Sequence, residues 1–447
     1  MRRLIPWFIA LFIGFGSFAS WGGGPVLFFR DTEIENFLYA IVRPLAQAAG
    51  LGESAIRIYL LGKDEVNAAA SGDGRIFINI GFLLKMENVS QLRGVLAHEM
   101  GHITAHHGAR REDLQKKLST ASIAALFLGV GLGITTKRPD LGIGTMIAGS
   151  SMALHALFYH SRQEETAADV CAVSLLKKLG YSPKGLIDAL MFFHSLERLT
   201  EGETVPYFRT HPGTQERIDA LRDHLPATPD PLPSPKEEED YRYIKKKLFA
   251  FWASLDRVRK EVGGEEVFPR AIALYRQGEL SEALALIEKL LAQTQNPYWL
   301  ELKAQILLEQ KNAHAATQAY REVLALFPDA KKVTLIQLAL AHALLETEEE
   351  NSLDEVSTLL NAIKETEREN PQLWHLLAEV YHRKKDLGHA DLALAEKAWA
   401  LGEGERAHHK ALQAQKHLKK GSPGWKRTND LLKEIEEAHD LITPQEP

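Results

Sequence analysis

The sequence predicts a mainly α protein in two parts: an α+β domain with a small β-sheet, then an all-α domain of repeated helix pairs. Three observations predict it. Helical periodicity dominates the chain, but Ile56–Leu61 and Arg75–Ile80 read as short strands near the N-terminus. Composition shifts at Pro226, where Pro226, Pro229, Pro231, Pro233 and Pro235 precede Glu237-Glu238-Glu239-Asp240. Beyond that point, paired amphipathic helices recur with small residues at their crossings.

The chain has 447 residues, 45% of them hydrophobic, which is enough for more than one core. A net charge of -6 argues against a nucleic-acid partner, which needs a basic face. Cys171 is the only cysteine, so no intramolecular disulfide forms. At the N-terminus, Arg2 and Arg3 precede an apolar run from Leu4 to Phe18, and Ser17-Phe18-Ala19 supplies small residues for a signal peptidase. Residues 1–19 are therefore expected to be a secretory signal peptide, with an uncleaved anchor as the alternative. The run is short for a membrane span. No Cys lies at the expected cleavage point, which excludes a lipoprotein.

The elements follow in order. Ile34, Phe37, Leu38, Ile41, Leu45 and Ala48 share one helical face, which predicts a helix over Asp31–Ala49. The strand Ile56–Leu61 comes next, then a Gly72-Asp73-Gly74 turn and the strand Arg75–Ile80. A long helix is expected from Ser90, with Ser90 as its N-cap. Two Gly-rich apolar segments follow, Ala121–Ile134 and Leu141–Phe158. Burial in the core or peripheral membrane contact is favoured for them over a true span. Further helices are expected over Glu164–Lys178, over Asp188–Leu199, and after His211-Pro212, where Arg217, Ile218 and Leu221 are in phase.

These elements divide the chain into a catalytic domain over 20–225, a linker and connecting helix over 226–265, and helical repeats over 266–447. The repeat units begin near Phe268-Pro269, Asn296-Pro297, Pro328 and Asn370-Pro371. They resemble tetratricopeptide repeats, helix pairs of about 34 residues.

The chemistry concentrates at His98-Glu99-Met100-Gly101-His102. Two imidazoles four residues apart project from one helical face and can bind one Zn²⁺, while Glu99 reaches a water on the metal. This is the HExxH metalloprotease pattern. A hydrolytic zinc needs a third protein ligand, and Glu165 on a second helix can supply it. Asp169, one turn later, can hydrogen-bond the outer nitrogen of a ligand histidine. The metzincin spacing fails, because Ala105 and Gly108 occupy its positions. His106 lies too far along the helix to share the ion, and His107 and His160 read as surface residues or outer neighbours of the site.

Three motifs together resemble the gluzincin zinc metalloproteases of the BepA and HtpX type, relatives of the CAAX prenyl endopeptidases. They are His98-Glu99-Met100-Gly101-His102, then Ser161-Arg162-Gln163-Glu164-Glu165-Thr166-Ala167-Ala168-Asp169, then Thr210-His211-Pro212 with Arg217-Ile218. Upstream, Arg30-Asp31-Thr32-Glu33-Ile34-Glu35, Val66-Asn67-Ala68 and Ile76-Phe77-Ile78-Asn79-Ile80-Gly81 fit the same pattern. The resemblance covers roughly residues 30 to 222, and the C-terminal repeats match the BepA-like architecture. It implies one zinc per chain on His98, His102 and Glu165, Glu99 as general base, and Asp169 orienting a ligand. It suggests His211 as a mobile residue near the metal, either capping the open position or stabilising the transition state. It implies that Arg75, Ile76, Phe77, Ile78, Asn79 and Ile80 form the edge strand on which substrate lies. One departure stands out: the chain has Ala68-Ala69-Ala70 where relatives carry Ala and then an aromatic residue.

The implied activity is endopeptidase cleavage of misfolded or misassembled envelope proteins in the periplasm of a Gram-negative bacterium. The repeats would position substrate or engage the outer-membrane assembly machinery. The competing expectation is a repeat-based chaperone or assembly scaffold with gated or minor proteolysis.

Overall fold

The structure is a computed structural model that describes residues 27–105, 123, 160–199, 207, 210–225, 233–263, 266–329 and 332–442. The expected signal peptide at 1–19, the apolar segments 121–134 and 141–158 (apart from Ile123), His106, His107 and residues 226–232 of the proline-rich stretch lie outside the described residues. Among the described residues, no helix is long and apolar enough to cross a membrane. Among the described residues, Ile123 apart, the chain divides into two units, one running to Trp252 and the other starting at Ala253.

The first unit opens with β1 (Phe28–Phe29) and helix α1 (Thr32–Ala48). The acidic run before and inside α1 is partnered partly by local groups and partly by Lys247 of the unit's last helix. Asp31 is the N-cap, its side chain accepting from the Glu33 and Ile34 amides, and Arg30 pairs with Glu35. Helix α1 buries Ile34, Leu38, Ile41, Val42 and Leu45, the face its periodicity predicts.

Strands β2 (Arg57–Leu61), β3 (Ala68–Ala70) and β4 (Arg75–Asn79) complete a four-stranded sheet of order β1-β2-β4-β3. β2 pairs with β4 in parallel, and β3 pairs with β4 antiparallel. This overturns the expectation of a free edge at Arg75–Ile80. β4 is bonded on both sides, and Ile80 opens a helix, α2 (Ile80–Lys85). The edge beside the zinc helix is β3, a run of three alanines that strand propensity does not flag. The Asn79 amide donates to Asn67 O and the Ser71 amide to Arg75 O. Antiparallel alternation therefore turns the N–H and C=O groups of Ala68 and Ala70 away from β4.

Helix α3 (Val89–Thr104) carries the histidine motif. Its N-cap is Asn88, whose side chain accepts from the Gln91 amide, so Ser90 lies inside the first turn and does not cap. The helix is buried along almost its whole length. Helix α4 (Arg162–Lys178) starts at a capping box of Ser161 with Glu164 and ends before Gly180 (φ 76°). Helices α5 (Lys184–Leu199), α6 (Thr214–Arg222) and α7 (Pro235–Trp252) complete the unit.

Two glycines let neighbours approach α3. A Cβ at Gly94 would sit 2.4 Å from the Leu186 amide nitrogen of α5, and one at Gly101 would sit 2.6 Å from the Ala168 carbonyl oxygen of α4. The glycine inside the histidine motif thus fixes how near the Glu165-bearing helix comes.

The second unit is helical among its described residues. After α8 (Leu255–Glu261) come α9 (Val267–Gln277) with α10 (Leu280–Leu291), and α11 (Pro297–Glu309) with α12 (Ala313–Ala325). Then follow α13 (Thr334–Leu345) with α14 (Leu353–Ile363), α15 (Pro371–Arg383) with α16 (Leu387–Ala400), and α17 (Gly404–His417) with α18 (Pro423–Ile442). Asn296 and Asn370 cap α11 and α15, each with proline at the first helical position. Each helix packs chiefly on its neighbours in sequence, the packing of a solenoid. The acidic stretch after α13 holds a short 3₁₀ turn, Glu350–Ser352.

Gly101→Ala should force α3 and α4 apart. Overpacking of this kind costs about 1–3 kcal/mol. Urea unfolding should show that loss, and metal analysis should show reduced zinc per chain. An unchanged midpoint with full zinc would mean that the crossing yields freely.

Candidate metal centre

His98 and His102 point from the same face of α3, and their Nε2 atoms lie 3.0 Å apart. Glu165 of α4 meets both: its Oε2 is 3.2 Å from His98 Nε2, and its Oε1 is 3.3 Å from His102 Nε2. The His211 amide donates to Tyr207 O. His211 Nδ1 lies 3.0 Å from Glu165 Oε1. One donor atom from each of His98, His102, Glu165 and His211 falls within 4.8 Å of the others, and all four residues are buried.

The donor set fits zinc. Two ring nitrogens on a tetrahedral zinc, each at about 2.0–2.1 Å, stand about 3.3 Å apart, close to the spacing found. Burial and the Arg217 charge push His98 down, but Asp169 and Glu165 outweigh them and carry it up to about 9. Burial holds His102 well below its ordinary value. Glu99, Glu165 and Asp169 are buried against one buried guanidinium, Arg217, so a divalent cation with neutral histidines balances the cluster.

Asp169 Oδ1 lies 2.8 Å from His98 Nδ1, the outer nitrogen, which fixes the ring's tautomer and direction. Arg217 holds Asp169 in turn, with Nε at 2.7 Å from Oδ2 and Nη2 at 2.8 Å from Oδ1, and its Nη1 lies 2.6 Å from Glu165 Oε2. Burial would raise both carboxyls. For Glu165, His211, Arg217 and His98 outweigh burial and hold the carboxyl well below its ordinary value. For Asp169, Arg217 and His98 do the same. Both residues therefore stay ionised.

Glu99 sits beside the ligands. Its Oε2 accepts from the Ala70 amide at 2.7 Å, one of the outward groups of β3. Its Oε1 is buried without a hydrogen bond, 3.6 Å from His211 Nε2, which also lacks one. Burial pushes the Glu99 carboxyl up, against the lowering effect of His211 and His98.

Sequence reading had gathered His98, Glu99, His102, Glu165, Asp169 and His211, and the fold brings all six together. It gave Arg217 no role, although an arginine in phase with Ile218 and Leu221 on a short buried face signals carboxylate partners. His160 is no surface residue: it is 1% exposed and stacks on the His102 ring, with centroids 3.7 Å apart. Tyr207 stacks on His211 at 4.5 Å. The nominal strand Arg75–Asn79 supports the site only through β3, which it pairs.

Residues 34–225 match Peptidase family M48. The chain is 23% identical to the Beta-barrel assembly-enhancing protease of Yersinia pestis, over 83% of this chain and 76% of that protein. It is 22% identical to the protein of the same name from Escherichia coli (strain K12), over 95% of this chain and 87% of that one. Metalloprotease YcaL of Escherichia coli (strain K12) is 32% identical over 36% of this chain and 59% of its own length.

Arg217→Gln should weaken zinc binding about ten- to a hundredfold, the usual result of losing an outer partner of a ligand. Asp169→Asn should do the same. A competition titration measures both, and unchanged affinity in the pair would reduce the Asp169–Arg217 link to packing.

Proposed function

We propose that this chain, which carries a peptidase family M48 domain over residues 34–225, is an exported endopeptidase of the cell envelope that cleaves misfolded or misassembled envelope proteins. Its C-terminal helix pairs position substrate or partner. The protein is a zinc metalloprotease by its domain and its buried donor cluster. The finer reading draws support from relatives named for β-barrel assembly and from the secretory pattern at Arg2–Ala19. The stacked helix pairs support a peptide-binding role for the second unit.

One observation carries the mechanism: the two oxygens of Glu99 have different surroundings. His98, His102 and Glu165 would hold the metal. Zinc there supplies a Lewis acid that acidifies water and polarises a peptide carbonyl. Glu99 is the base. The Ala70 amide occupies Oε2, so the proton from the attacking water goes to Oε1, which faces the cluster. From Oε1 it passes to the departing amide nitrogen. A carboxyl raised by burial takes that proton more readily than an exposed one. Asp169 and Arg217 keep His98 directed inward throughout. His211 Nε2, on the same side as Oε1, either donates to the developing oxyanion or fills the open metal position in a resting state.

An extended substrate pairs with the outward groups of β3, at Ala68 and the Ala70 carbonyl, beside Glu99. The alanine run leaves little side chain along that edge, which suits sequence-tolerant cleavage. A peptide product crystallised away from β3 would refute this register.

Purification without added metal, metal analysis, and casein digestion with and without chelator test the assignment as a whole. Glu99→Gln should retain one zinc per chain and slow digestion by about two to four orders of magnitude. Near-normal cleavage by this variant would remove Glu99 from the chemistry.

His211→Ala separates the two readings of that residue. Basal cleavage of an unstructured substrate should rise if His211 caps the metal, and fall if it stabilises the transition state. Activity equal to the parent protein would sink both.

A further inference from the structure

Helix α7 lies beyond the family match, which ends at residue 225, yet it is built into the first unit. Its buried face carries Tyr241, Ile244, Lys247, Leu248 and Phe251. The Tyr241 hydroxyl donates to Leu83 O at 2.8 Å, and Lys245 Nζ donates to Met86 O at 2.6 Å. These are carbonyls at the C-terminal end of α2, the element that leads into the zinc helix. About one turn earlier, the same helix reaches α3 itself. Glu238 Oε1 accepts from the Val89 amide at 3.2 Å, and Glu237 pairs with Arg93, which is 4% exposed and whose other face lies over the Tyr181 ring. Val89 is the first residue of α3, and its amide has no partner within the helix. Carboxylates at a helix N-terminus also oppose the positive end of its dipole.

We propose that Glu237 and Glu238 are positioning residues for the metal centre, acting through α3. An α-helix transmits displacement along its axis. His98 lies nine residues from Val89, about 14 Å along the rod at 1.5 Å per residue. At its far end α3 is held by the close approach at Gly101. At its near end the packing at Gly94 is supplemented by α7. A slip or rotation at Val89 moves His98 and His102 relative to Glu165, which is carried on α4 and held there also by Arg217. Ligands must be held within about half an ångström for full effect, so a loosened near end shows first as weaker metal binding. The inference concerns the zinc site alone and stands whatever the enzyme cleaves.

The other anchor of α7 provides an internal control. Lys247 Nζ bonds Asp31 and Glu33, each at 2.9 Å, at the start of α1, and makes neither bond to α3. The test uses the full-length protein. The double variant Glu237→Ala/Glu238→Ala should bind zinc about tenfold more weakly in a chelator competition, and its cobalt-substituted form should show an altered visible spectrum. Glu238→Gln keeps an acceptor for the Val89 amide and should stay within about twofold of the parent. Lys247→Met should lower the melting temperature while leaving zinc affinity and the cobalt spectrum as they were. The proposal is overturned if the double variant keeps parental zinc affinity. It is overturned equally if Lys247→Met weakens zinc as much as the double variant does, because α7 would then act only through general stability.

Discussion

The structure depends on one constraint: a dense set of charges has been taken out of water and must neutralise itself. Isolated buried carboxylates are prohibitively costly, so each must find a cation or a donor. Asp169 finds His98 and two nitrogens of Arg217, and Glu165 finds the histidines and the third. Glu99 finds a backbone amide for one oxygen. What the side chains leave unbalanced is the charge of one divalent ion. The helices are arranged to make that closure geometric. α3 presents the imidazoles, α4 presents both carboxylates, and α6 delivers the guanidinium that joins them.

Much of this was legible in the sequence because helical spacing converts directly into direction. An i, i+4 pair of histidines and an i, i+4 pair of carboxylates define two faces, and those faces meet. The longer helices of the first unit were legible for the same reason, through their apolar periodicity, although the cap of α3 is Asn88 rather than Ser90 and the short helix α2 was not foreseen. The strands were harder. Ala68–Ala70 carries no β-branched or aromatic residue, so nothing local marks it as a strand, and its pairing with β4 is a tertiary outcome. The resemblance implied an edge at Arg75–Ile80, and with β3 unmarked nothing in the local sequence spoke against it, although β4 is bonded on both sides. Arg217 was overlooked for a related reason. Its role exists only once α6 is folded against α4, across 48 residues from Asp169.

The two units show different kinds of order. In the second, contacts run mostly between successive helices, so the sequence reads out its structure piece by piece. The unit openings at Asn296-Pro297 and Asn370-Pro371 could be placed from capping alone, because a local signal suffices for a local structure. In the first, decisive contacts span long separations, and local signals identify the parts without saying how they join.

Lys247 has a consequence for the order in which the molecule is made. Its bonds to Asp31 and Glu33 link residues more than two hundred positions apart, at 216 and 214. Loop closure over such a distance comes late in folding, and the chain emerges from its N-terminus. The histidines on α3 are therefore present well before the helix that ties the unit's last segment to its first. During synthesis, the nascent chain displays its metal ligands before their surroundings are finished. Full assembly waits for the stretch that immediately precedes the repeats. Catalytic competence is in this sense dated by the chain itself: it arrives with the end of the first unit and not with the motif that defines it.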